Sequence, residues 1–272
     1  MKKTASNEKD IFAFLENHPV FTLHELREYL GYQNGNRKVS DLILYHKKMG
    51  HIGVVKDGLY FSVRPGSNAQ QTNPDPFLIA SKRAGDAILA FHTALDLLGY
   101  GHSLFNTYYC FSNRFRPALR FRGDHFRCIV TPQKLQEKSQ VLFGTEKVER
   151  LGLKVLTTGK ERTLVEALDR PQYCGGFEEM YRSLEKIPYL QFEVLLNYLQ
   201  LRKQKKLYGV VGFFLEQHRN EFNVEESFLQ QLERDKTSTA VYWDRSKKGG
   251  VYVKRWNLVV PKPVIERNWE EF

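Results

Sequence analysis

Apolar residues near the start of the chain recur at the intervals expected of short helices. A stripe over residues 7–17 predicts a first helix, which Pro19 stops. Thr22 and Glu25 have the spacing of a capping box and open a second helix that ends at Gly31. Behind a turn predicted at residues 33–36, a third helix is indicated by a face formed by Val39, Leu42, Ile43, His46 and Met49.

Two β-prone runs follow the third helix and surround a turn signal. Residues 52–55 and 59–63 flank Asp57 and Gly58, a pair that strongly favours a β-hairpin. Three short helices followed by a hairpin are typical of a winged helix-turn-helix, which we predict for residues 1–66. The following segment is rich in Pro, Gly, Ser, Asn and Gln and predicts a linker at residues 67–76.

The remaining chain mixes helical and strand patterns. Residues 77–99 are helical in character, with a break near residues 82–85. We predict strands at 106–112, 118–121, 126–130, 153–157, 240–243, 250–253 and 257–260, and helices at 161–168, 176–186, 191–203, 207–219 and 225–233. The predicted fold class is therefore α+β: an N-terminal winged helix-turn-helix and a larger mixed α+β C-terminal domain at residues 77–272.

Positive charge favours a polyanionic partner and is well represented on the third helix. The chain has 41 Lys and Arg against 31 Asp and Glu, a formal charge of +10. In a helix-turn-helix the last helix enters the major groove, and its outward side chains reach phosphates and base edges. We predict contacts with double-stranded DNA at Arg37, Lys38, Ser40, Asp41, Leu44, Tyr45, Lys47, Lys48, Lys56 and Tyr60.

Within this set the two ends of the third helix have different predicted roles. Arg37 and Ser40 lie near its N-terminal end, which normally enters the groove, so we expect them at or near base edges. Lys47, Lys48 and Lys56 are expected to contact phosphates. Any surface helix can carry such charge, and a winged helix can serve protein contact alone. The order of helices, turn and hairpin favours the DNA interpretation.

Two further basic clusters have alternative interpretations. The first could bind a toxin or nucleic acid, or it could form amphipathic strands with buried aromatic rings and solvated arginines, which we favour. It consists of Arg114, Arg116, Arg120, Arg122 and Arg127, interleaved with Phe115, Phe121 and Phe126. The second closes a helix, where positive charge complements the helix dipole. It consists of Arg202, Lys203, Lys205 and Lys206.

The sequence lacks the patterns of the enzyme and metal-site classes that we considered. It has neither a Gly-Ser turn combined with paired carboxylates nor the Gly-Lys-Ser/Thr of a P-loop. His92 and His102 have no Glu or Cys at ligand spacing. A further polar group has the spacing of a salt-bridged helix: Glu161, Arg162, Glu166 and Asp169. We predict no enzymatic activity, no catalytic residues, no metal and no cofactor.

Cysteine usage and hydropathy indicate a soluble protein of the cytoplasm. Cys110, Cys128 and Cys174 are isolated in the sequence, so neither a disulfide framework nor a thiolate metal site is predicted. No stretch approaches the run of about 18 apolar residues needed to span a bilayer, and no membrane partner is expected.

Several segments, in order along the chain, resemble the AbiEi-type antitoxins of abortive-infection (type IV) toxin–antitoxin systems. Residues 56–60 (KDGLY) are similar to the wing of those proteins. Residues 73–80 (NPDPFLIA) and 91–95 (FHTAL) look like their interdomain entry and the following helix. The most diagnostic segment is 161–171 (ERTLVEALDRP), followed by 174–179 (CGGFEE).

This resemblance implies a transcriptional repressor with two activities. Its winged helix would repress the antitoxin–toxin operon by binding repeats in the promoter, and its C-terminal domain would neutralise a cognate nucleotidyltransferase toxin. Two alternatives stay open: a winged-helix regulator whose C-terminal domain senses a ligand, and a protein-interaction adaptor.

Overall fold

The first elements of the chain form three helices and a small antiparallel sheet. In this computed structural model, which describes residues 4–32, 37–244 and 249–267, they are α1 (Thr4–Asn17), β1 (Val20–Thr22), α2 (Leu23–Tyr29), α3 (Arg37–Lys48), β2 (Ile52–Lys56) and β3 (Leu59–Ser62). The strands pair in the order β1-β3-β2. Thr22 and Glu25 make the reciprocal hydrogen bonds of a capping box at the start of α2, as their spacing predicted.

The rest of the described chain contains both strands and helices. The strands are β4 (Ile88–Leu89), β5 (Thr107–Ser112), β6 (Leu119–Phe121), β7 (Asp124–Val130), β8 (Thr145–Arg150), β9 (Leu153–Thr158), β10 (Val241–Tyr242), β11 (Val251–Val253) and β12 (Leu258–Val260). The helices are α4 (Pro76–Ser81), α5 (His92–Leu97), α6 (Gln133–Glu137), α7 (Lys160–Asp169), α8 (Phe177–Leu184), α9 (Phe192–Arg202), α10 (Lys205–Gln217), α11 (Glu226–Asp235) and α12 (Lys262–Glu266). The mixed α+β character predicted for the chain is confirmed.

A six-stranded sheet organises this second part. Its order is β6-β7-β5-β4-β9-β8, with parallel pairing between β5 and β7 and between β4 and β9 and antiparallel pairing elsewhere. Neighbouring residues in a strand face opposite sides, so Ile88 and Phe111 pack with the helices α7 to α11, whereas Leu89 and Cys110 face the other way. A second, three-stranded sheet has the order β10-β12-β11.

The sheet face turned away from these helices is covered by α4 and by the β2–β3 hairpin. Val55, Leu59 and Phe61 of the hairpin belong to the same buried cluster as Phe126 and Val155 of the sheet. A continuous apolar core therefore joins the first elements of the chain to the second part.

Some sequence predictions of local structure are wrong. The helical prediction over residues 77–99 fails in its middle, where β4 lies between α4 and α5. Both residues of β4 are buried, and so short a buried strand has no alternation that distinguishes it from a helix. The segment Thr145–Arg150, not predicted as structured, is the edge strand β8. Its sequence, TEKVER, contains few apolar residues, which an edge strand tolerates.

The segment predicted as a linker lies on the surface and is held there by hydrogen bonds. Arg122 donates to the carbonyl oxygens of Ala69 and Thr72 and, at 3.1 Å, to Asn73 Oδ1. Asp75 caps α4 by accepting from the Leu78 amide at 3.0 Å.

Among the described helices, none has both the length and the apolar character needed to cross a membrane.

Candidate nucleic-acid interface

α3 has one buried face and one exposed face. Val39 and Ile43 pack in a core with Ile11, Phe14 and Leu26 of α1 and α2. This packing follows from the helical spacing of the apolar residues and fixes which side of α3 faces solvent.

The exposed face of α3 carries most of the side chains predicted to contact DNA. They are Lys38, Ser40, Asp41, Leu44, Tyr45, Lys47 and Lys48. Arg37 begins α3, but its side chain lies outside what the structure describes, as does the turn predicted at residues 33–36. Met49, predicted on the buried face, is instead 55% exposed. The helix ends at Lys48, so helical spacing no longer sets the direction of Met49.

Aromatic rings fix the C-terminal end of α3. The Nδ1 atoms of His46 and His51 lie 3.0 Å apart, and His46 is buried. The Phe12 ring of α1 meets both imidazoles edge-on, with centroid distances of 5.5 Å and 5.1 Å. The end that bears Lys47 and Lys48 is therefore held against both α1 and the start of β2.

The two hairpin residues predicted at the DNA interface differ in exposure. Lys56 is exposed at the end of β2. Partial burial lowers the pKa of the Lys56 ammonium, and the nearby guanidinium groups of Arg83 and Arg116 lower it further. Tyr60 is half-buried, with its ring stacked on Phe21 at a centroid distance of 5.8 Å. Lys56 thus belongs to a positive region shared with the second part of the chain, whereas the Tyr60 ring contributes to packing.

Polar contacts also join the first elements of the chain to the second part. Lys82 forms an ion pair with Glu25 of α2. Burial raises the pKa of Glu25, but hydrogen bonds from Lys82 and Thr22 outweigh it and hold this pKa below its ordinary value. Arg122 lies over the rings of Phe61 and Phe121, at 5.4 Å and 5.1 Å from their centroids.

The arginine cluster predicted as a possible toxin or nucleic-acid surface is exposed along β6, β7 and the loop before them. Its members are Arg114, Arg116, Arg120, Arg122 and Arg127. Among the interleaved aromatic residues, Phe126 is buried and Phe121 half-buried, as amphipathic strands require, but Phe115 is 75% exposed. Arg122 donates hydrogen bonds to the 69–73 segment, so its guanidinium also holds that segment in place.

A buried ionic network was not found by sequence reasoning. Arg202 of α9 donates to Glu166 Oε2 and Asp169 Oδ2 of α7, each at 2.7 Å, and Tyr198 donates to the other Glu166 oxygen. Arg162 is also buried, where it donates to the carbonyl oxygens of Val141 and Phe143. The salt bridges predicted along one helix therefore join two helices, and Arg202 neutralises carboxylates instead of complementing a helix end. Glu166 and Arg202 are 36 positions apart, beyond the reach of i, i+4 reasoning.

His92 lies inside the second part of the chain and contacts a carboxylate. Its Nε2 is 3.0 Å from Glu179 Oε1, which also accepts from the Ser103 amide and the Ser183 hydroxyl. Burial raises the pKa of Glu179, but these hydrogen bonds outweigh it and lower the pKa overall. Within the described ranges, no group of three or more His, Cys, Asp or Glu side chains is arranged to hold a metal ion.

A solved structure resembles this chain over almost its whole length. It is the crystal structure of the RV2827C protein from Mycobacterium tuberculosis, with a TM-score of 0.59 and 17% sequence identity over 94% of this chain and 92% of that chain. The two chains share a fold. At this identity the likeness says nothing about function. No protein-family model and no curated protein matches the chain.

Proposed function

We propose that the chain is a DNA-binding antitoxin. Residues 1–66 act as a winged helix-turn-helix that binds promoter repeats of its own toxin–antitoxin operon, and the C-terminal domain counteracts a cognate nucleotidyltransferase toxin. The observation that carries the DNA-binding half is the two-sided character of α3. Its apolar side is buried with α1 and α2, while Lys38, Ser40, Lys47 and Lys48 are exposed on the other side.

The chemistry of the exposed face suits a duplex. Ser40, near the start of α3, can donate to and accept from base edges, whereas Lys47 and Lys48 near its end suit phosphates. The ring contacts that fix the end of α3 support this function, because a positioned helix loses less freedom on binding.

The toxin-neutralising half rests on the resemblance to AbiEi-type antitoxins. Its most diagnostic segment, 161–171, coincides with α7, whose residues Glu161–Asp169 are all buried. These residues therefore serve the core of the C-terminal domain. We infer that toxin contacts come from other, exposed residues of this domain, and the exposed ring of Phe115 beside Arg114 and Arg116 is the first candidate.

A charge-reversal experiment tests the DNA-binding half. The test variant combines Lys47→Glu and Lys48→Glu. The control combines Lys138→Glu and Lys154→Glu, two exposed lysines outside residues 1–66, and has the same total charge change. Binding to a fragment of the protein's own promoter is measured by fluorescence anisotropy at several salt concentrations, together with the melting temperature.

We expect the α3 variant to lose binding while its melting temperature stays near that of the unmodified protein. The control should bind with affinity close to normal, since only charge near phosphates contributes strongly. Equal binding by both variants, or equal loss in both, would contradict a specific role for α3.

A further inference from the structure

Two cysteines that are distant in sequence face each other in the central sheet. Cys110 of β5 and Cys128 of β7 occupy directly opposed positions of parallel strands. Their Sγ atoms are 3.1 Å apart, although the residues are separated by 18 positions. Each cysteine is isolated in the sequence, and no local pattern indicates this pairing.

The backbone geometry allows these thiols to bond. Neighbouring strands lie about 4.8 Å apart, and disulfides form across Cα separations of about 4.4–6.8 Å. Rotation of the two side chains is then enough to shorten the 3.1 Å contact to a bond of about 2.05 Å. Strand pairing on both sides of the thiols does not need to break.

The two thiols differ in access. Cys110 is buried, in the cluster that includes Leu59 and Phe61 of the hairpin, whereas Cys128 is half-buried. An oxidant from solvent therefore reaches the sulfur of Cys128 first, and Cys110 is positioned to react second.

A buried guanidinium lies near the pair. Arg83 is 6% exposed and donates from Nη2 to the Pro117 carbonyl at 2.6 Å. Its Nε and Nη1 atoms are buried and have no hydrogen-bond partner in the described part of the chain. The positive charge of Arg83 favours the thiolate at both Cys110 and Cys128. Such an arrangement suits a developing negative charge on sulfur.

We propose that Cys110 and Cys128 form a redox-reactive pair, which hydroperoxides convert into an intramolecular disulfide. The Cys128 thiolate attacks the terminal peroxide oxygen, the O–O bond breaks, and the departing alkoxide or hydroxide takes a proton. Cys110 then loses its proton and attacks Sγ of the Cys128 sulfenic acid, releasing hydroxide that becomes water. Two thiols and one hydroperoxide give one disulfide, one alcohol (water when the oxidant is hydrogen peroxide) and one water.

The charges around the pair support this order of attack. The pKa of Cys128 is lowered to about 7, chiefly by the hydrogen bond with Cys110, while burial acts in the opposite direction. Arg83 and Arg116 contribute to this lowering, Asp86 opposes it, and Lys56 lies near the same thiol. The same hydrogen bond and burial raise the pKa of Cys110, which therefore stays protonated until Cys128 has reacted.

The test uses the full chain with dilute hydrogen peroxide at neutral pH. After quenching and denaturation, free thiols are counted by alkylation, and peptides are mapped by mass spectrometry. The expected result is a fall from three free thiols to one and a mass loss of about 2 Da, with a peptide linking Cys110 to Cys128. Cys174→Ser is the matched control, because Cys174 is fully buried and burial raises its thiol pKa far above the ordinary value. This variant should form the same disulfide at the same rate.

Single-cysteine variants separate the two roles. In Cys110→Ser, Cys128 should stop at a sulfenic acid that dimedone traps, whereas in Cys128→Ser no adduct should form at Cys110. Three free thiols in the peroxide-treated folded protein, or a disulfide that includes Cys174, would overturn the proposal. Neither the thiol count nor the dimedone trapping involves DNA or toxin. These measurements therefore test the cysteine pair independently of the proposed function.

Discussion

At the scale of single residues, the strongest constraint is the burial of charge between α7 and α9. Arg202 is 1% exposed and sits between two carboxylates that it neutralises. The pKa of Arg202 is lowered by burial, but Glu166 and Asp169 outweigh this and raise it overall. Removing Arg202 would take from both buried carboxylates their shortest charged contact, which leaves them the Tyr198 hydroxyl at Glu166 and the Arg170 guanidinium, 3.6 Å from Asp169.

Replacing Arg202 by methionine is expected to destabilise the fold by about 3–5 kcal/mol, since the buried Glu166 and Asp169 would lose the guanidinium that binds both of them. The free energy of unfolding from urea titrations measures this loss. Lys134→Met, which breaks an exposed pair with Glu137, is the matched control and should change stability little. A loss of similar size in both variants would contradict the importance of burial.

Contacts between distant positions explain what sequence reasoning missed at this scale. The exposed side chains of α3 follow from helical spacing, and so does the buried face that contains Val39 and Ile43. The opposition of Cys110 and Cys128 depends on the parallel pairing of β5 with β7, which no local pattern reveals. Arg122 lies in an arginine-rich stretch, yet its hydrogen-bond partners are more than 45 positions away.

At the scale of elements, α10 shows how a small residue decides packing. Trp256 is fully buried, with its indole against Gly212 and its carbonyl oxygen against Gly209. Its Nε1 donates to Glu216 at 2.6 Å. A Cβ atom added at Gly212 would lie 2.1 Å from Trp256 Cζ3, closer than any stable contact. The two glycines allow α10 and the segment before β12 to approach closely.

We expect Gly212→Ala to destabilise the protein by about 1–3 kcal/mol through displacement of Trp256. Alanine gains about 1 kcal/mol over glycine in an unobstructed helix, so a loss identifies the packing effect. Gly85→Ala is the control, because its added Cβ meets no atom within 4 Å. Thermal unfolding measures the change in stability, and tryptophan fluorescence reports the displacement of Trp256. A Gly212→Ala protein as stable as the Gly85→Ala control would refute this account.

Helices and strands were predicted correctly where the hydrophobic periodicity extended over many residues or where the turn residues were strongly diagnostic. The hairpin around Asp57 and Gly58 and the predicted helices that became α9, α10 and α11 are examples. The predictions failed for β4, because its two residues provide no period. They also failed for β8, because Glu146, Lys147 and Glu149 make this edge strand polar and leave little hydrophobic alternation to recognise.

At the scale of the whole molecule, the ion pair between Glu25 and Lys82 gives the junction a pH dependence. The pKa of Glu25 is lower in the folded protein than its ordinary value of 4.5, so the unfolded chain binds more protons around that pH. The contribution of Glu25 is complete well above pH 4.5 and is lost as the pH falls through the lowered value. Glu25→Gln should therefore be less stable than the unmodified protein at pH 7, with a smaller difference at pH 3. A difference independent of pH in urea titrations would disprove this role.

The shared core also decides how the two proposed activities can be separated. A chain beginning at Asn73 would leave Phe126, Val155 and their neighbours without Val55, Leu59 and the Phe61 ring. Such an exposed apolar face favours aggregation, so failure of a truncated chain to neutralise toxin would not identify its cause.

A full-length chain with Lys47→Glu and Lys48→Glu avoids this difficulty, because both lysines are exposed and outside the shared core. In cells that express the cognate toxin, this variant should restore growth as the unmodified protein does, while a reporter driven by the operon's promoter becomes derepressed. Growth and reporter output, measured at matched protein levels, test the two activities in one strain. If the variant represses normally, α3 does not read the promoter. If it loses both activities while remaining folded, neutralisation depends on the same face of α3 as DNA binding, and the assignment of toxin contacts to the C-terminal domain is wrong.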